Sequence, residues 1–127
     1  MNKMISILAL SLLAGNICAF DKTEAHGYLN SFIRGFDEIR LEDNESRTEL
    51  KWFLAQGKDC GEFMRDAFNN DKDKMHTRMA ALFVLCKGWP ELSERFLAKA
   101  EASSKLELAE FGKRVRAYVA RPAEKVV

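Results

Sequence analysis

The stretch DCGEFMRDAFNNDKDKMHTRMAALFVLCKG, residues 59–88, decides the fold. Phe63, Met64, Ala67 and Phe68 recur at the spacing of one helix face. The polar run Asn69-Asn70-Asp71-Lys72-Asp73 interrupts them. Met75, Met79, Leu82, Phe83 and Cys86 then resume the helical spacing, and Gly88 follows as a stop signal. Two helices joined by a short polar turn pack antiparallel when both must bury one apolar face.

Outward from this hairpin the same period holds, and alternation of period two is nowhere sustained. The first helix is expected from Lys22 to about Leu41, with Tyr28, Leu29, Phe32, Ile33, Phe36 and Ile39 on one stripe and Asp21 or Thr23 as its cap. Ser46 with Glu49, Asp59 with Glu62, and Ser104 with Glu107 read as capping boxes that open three further helices. Gly57 is expected to stop the helix begun at Ser46. Pro90 suits the first turn of a helix bearing Leu92, Phe96, Leu97 and Ala100. The last helix carries Leu108, Phe111, Val115, Tyr118 and Val119, and Pro122 ends it. The fold class is therefore all-α: about six short helices packed as antiparallel hairpins. Trp52–Gly57 and Phe83–Gly88 share a pattern at an offset of 31 residues. That spacing fits a short helical-repeat stack, and an irregular bundle fits equally.

The amino-terminal segment reads differently. Lys3 is followed by the apolar run Met4–Gly15, and Ile17-Cys18-Ala19 places a small residue at a cleavage position. This is the layout of a signal peptide over residues 1–19, followed by one helical domain over 20–127. The apolar run covers only about 18 Å, short of a bilayer core. Cys18 raises the question of lipidation, and the bulky Ile17 before it counts against that. Export makes Cys60 and Cys86 candidates for a disulfide. Cys60 lies 12 residues before Lys72 and Cys86 lies 14 after it, so a hairpin turning there brings them to one level within about 3 Å along the axis. A bridge closing about 26 residues would stabilise the chain by roughly 3–4 kcal/mol.

Charge narrows the partners. The chain has 20 Lys+Arg and 19 Asp+Glu, and loss of Lys3 with the signal leaves 19 of each. A neutral chain argues against nucleic acid, because phosphate binding rests on a basic excess. The charge is unevenly placed, however. Asp21 to Glu49 carries eight acids and four bases, whereas Phe111 to Lys125 carries five bases and one acid. A helix C-terminus accounts for Arg121 but not for the mid-helix Lys113.

No catalytic set is legible. His26 and His76 form no metal-ligand pair, no GxSxG elbow is present, and the serines of the capping boxes have a structural use. Asn69-x-Asp71-x-Asp73 opens like a calcium loop, but Lys74 and Ala80 stand where the loop needs Gly and Glu. The expectation is a protein without enzymatic activity, cofactor or metal. The expected role is a small exported, periplasmic or secreted, protein-binding module. Its most concrete form is an inhibitor or immunity protein that neutralises an exported toxin enzyme. The expected partner-binding residues are Trp89, in the turn Lys87-Gly88-Trp89-Pro90, and Lys113, Arg114, Arg116, Tyr118 and Arg121 on the last helix. Two alternatives are a small enzyme built on His76 with Asp73, and an envelope adaptor whose basic last helix meets a membrane surface.

Overall fold

The computed structural model describes residues 20–120. The expected signal segment 1–19, with Cys18, and the carboxy-terminal Arg121, Pro122 and Lys125 lie outside the described residues. Six α-helices and one 3-10 turn make up the described chain, and it contains no strand. They are α1 Lys22–Gly35, the 3-10 turn Leu41–Asn44, α2 Thr48–Ala55, α3 Lys58–Asn69, α4 Met75–Gly88, α5 Pro90–Glu101 and α6 Leu106–Val119.

α4 is the axis of the molecule. Thr77 to Cys86 are all buried, including the unbroken apolar run Met79–Cys86. A helix apolar on every side needs neighbours on every side, and α4 packs against each of the other five helices. A repeat stack touches only its nearest neighbours, so the arrangement is an irregular bundle around a central helix. Phe32, Phe53, Phe68, Phe83 and Phe111 come from five different helices, and each is fully buried in one core.

The α3–α4 hairpin runs antiparallel, as the spacing predicts. Near the turn, Arg78 Nε donates to Phe68 O at 2.8 Å, and its guanidinium lies 5.6 Å from the Phe68 ring. A buried cation thus satisfies a carbonyl at the C-terminal end of α3, where the helix dipole favours positive charge. At the far end Gly61 meets Trp89. α5 runs back along α4, placing Phe96 beside Phe68 and Lys99 on Asn69 at 2.7 Å.

The expected Cys60–Cys86 disulfide is not formed: both residues are free thiols, and both are buried. Residue spacing sets only the level along a hairpin, and a bridge also needs the two side chains to face each other. The Arg78 side of α4 faces α3. Cys86, eight residues further on, is turned about 80° from that line. It lies instead within the field of Arg116 on α6. Burial pushes both thiols up to about 12.

The helix starts also differ from expectation. Asp21 caps α1, accepting from Thr23 N and Glu24 N at 2.9 and 3.2 Å. The three capping boxes do not form. α2, α3 and α6 begin after Arg47, Gly57 and Lys105, and none of these caps makes a side-chain hydrogen bond. Glu49 is drawn to α1 instead, accepting from Ser31 Oγ at 2.6 Å and Arg47 Nε at 3.2 Å. Tertiary partners outcompeted the local box. α2 ends at Ala55, and Gly57 serves as the N-cap of α3 rather than as a stop.

α1 is shorter than the stripe implies. It ends at Gly35, where the Arg47 guanidinium crosses the last turn and donates to Ser31 O at 3.0 Å. A Cβ on Gly35 would lie 2.8 Å from Arg47 Nη1. Phe36 still reaches the core, whereas Ile39 is 64 % exposed. The chain from Asp37 to Asn44 is held by buried Asn44, which accepts from Asp37 N and donates to Asp37 O and Leu41 O.

Candidate partner-binding surface

Trp89 stands where α4 hands over to α5. Its backbone N–H bonds to Leu85 O at 2.9 Å, its carbonyl accepts from Leu92 N at 2.9 Å, and Pro90 starts the next helix. The indole lies flat on α3, because Gly61 has no side chain to push it away. A Cβ there would sit 2.8 Å from Trp89 Cε2. On the other side, Leu54 of α2 closes on Gly88, leaving 2.8 Å for a Cβ. Three helix ends therefore meet around one aromatic ring.

Beside this junction is a groove of about 490 Å³ lined by Gly57, Gly61, Trp89 and Leu92, with Lys58, Glu62, Arg65 and Glu91 along its edges. Leu92, expected to point inward, is 36 % exposed, and neighbouring Leu54 is 40 % exposed. An apolar centre edged by charges of both signs is the usual anatomy of a protein contact. Trp89 was legible as a candidate from its place in a turn. Gly61 was not identified, although a glycine inside a helix is a signal of close approach. Leu54 carried no signal, since nothing in the local pattern says which end of the bundle lies beside α2.

The basic last helix is used differently. Arg116 is held by two carboxylates, with Nη1 and Nη2 on Glu94 at 2.6 and 3.0 Å and Nε and Nη2 on Glu101 at 2.8 and 3.0 Å. The hydrogen bonds from Arg116 hold both carboxyl groups below their ordinary range. Arg114 donates to Glu38 O at 2.9 Å. Tyr118 donates its hydroxyl to Glu45, which also pairs with Lys87 at 2.9 Å. Thus the acidic segment and the basic helix, separate in sequence, meet one another in the fold. Lys113 remains at the surface, 3.7 Å from Glu110.

The residues of the imidazole-based alternative lie at two places. His76 Nδ1 lies 3.7 Å from Glu38 Oε2 with its ring beside Phe36, while Asp73 borders a different cleft together with His26. Among the described residues no group of three His, Cys, Asp or Glu is placed to hold a metal, and no helix is long and apolar enough to cross a membrane.

The fold and this surface together define an all-α bundle with a preformed aromatic groove at one end. No family model, curated protein or solved structure matches the chain.

Proposed function

We propose that the protein is a small exported binding module that docks another exported or envelope protein through the Trp89 groove. An inhibitor or immunity protein that blocks a toxin enzyme is the concrete form. The observation that carries the reading is the seating of Trp89 on Gly61, flanked by exposed Leu54 and Leu92. Tryptophan in a well-packed setting is the residue most enriched among binding hot spots. A ring already fixed by three helix ends needs little further ordering on association.

Rigidity comes from the packing around α4 rather than from a sulfur link. Export rests on the sequence of residues 1–19 alone. The basic helix contributes less to this reading than its sequence suggests, since Arg114, Arg116 and Tyr118 are engaged within the chain.

The test is affinity capture from an envelope extract with the chain beginning at Phe20, beside a Leu92→Glu variant. Leu92 is exposed enough that the change leaves the fold intact. A stoichiometric enzyme held and inhibited by the parent chain, and released by the variant, is the expected result. Equal retention by both chains, or no specific partner, removes the proposal.

A further inference from the structure

No further inference is drawn: the strongest candidate, the apolar groove of about 410 Å³ between α1 and α2 lined by Gly27, Tyr28, Ser31 and Glu49, is an unpartnered face and nothing in the structure shows what covers it, since Arg47 Nη1, the one buried side-chain atom without a hydrogen-bond partner among the described residues, packs against Gly35 instead of lining the groove.

Discussion

Arg116 of α6 and Glu101 of α5 are joined by two parallel hydrogen bonds, Nε to Oε2 at 2.8 Å and Nη2 to Oε1 at 3.0 Å. The paired geometry fixes direction as well as distance, and Glu94 completes a clamp on the same guanidinium. A residue that reads as a surface cation in the sequence is thus a strut between two helices.

The strut gives a pH dependence. Glu94 and Glu101 are both lowered from 4.5, chiefly by their hydrogen bonds from Arg116. Carboxylates lowered on folding contribute their stability in full above the unfolded value and lose it as pH falls through the folded one. The parent chain should therefore melt higher than Arg116→Ala at neutral pH. The two should converge in a circular-dichroism melting series carried below pH 4.5. A gap that persists unchanged into acid would contradict the clamp.

Gly61 and Gly27 make an opposed pair. A Cβ at Gly61 collides with the Trp89 ring, whereas one at Gly27 meets nothing within 4 Å. Gly61→Ala should destabilise by about 1–3 kcal/mol through overpacking, with a shift in tryptophan emission. Gly27→Ala should stabilise by about 0.4–1 kcal/mol through the unfolded chain. Urea melts of both variants decide the matter.

Asn44 is buried in a bend with no regular backbone pairing. Asn44→Ala leaves the Asp37 N–H and the Asp37 and Leu41 carbonyls without this partner. A loss of about 1–3 kcal/mol is expected, with amide exchange at Asp37 accelerating first.

Cys60 and Cys86 should behave as inert core residues. Both thiols are buried and pushed up to about 12, so the thiolate needed for attack is scarce near neutral pH. Ellman's reagent should find no fast thiol in the folded chain beginning at Phe20 and two after denaturation. A reductant should leave its melting temperature unchanged.

The all-helical class was readable because helical spacing is local: Phe63, Met64, Ala67 and Phe68 repeat within one short span and need no distant partner to do so. The unbroken run Met79–Cys86 marks the central place of α4, but a reading of one inward stripe misses it. The start of α1 at Asp21 was legible because its side chain serves its own next turn.

The sites were less legible. Trp89 could be picked out by its turn, but its platform, Gly61, lies on another helix. The basic residues of α6 looked available because their carboxylate and carbonyl partners are far away in sequence: Glu38 and Arg114 are separated by 76 positions.

What the sequence determined by itself was the helical periodicity, the cap of α1 at Asp21 and the placement of the polar turns, because each is encoded within a few residues. The tertiary structure alone decided the angle of Cys86 around α4, the capture of Glu49 by Ser31 and Arg47, and the pairing of the acidic segment with α6. Those depend on rotation about helix axes and on which distant groups compete for a hydrogen bond, quantities that arise only once the helices have packed.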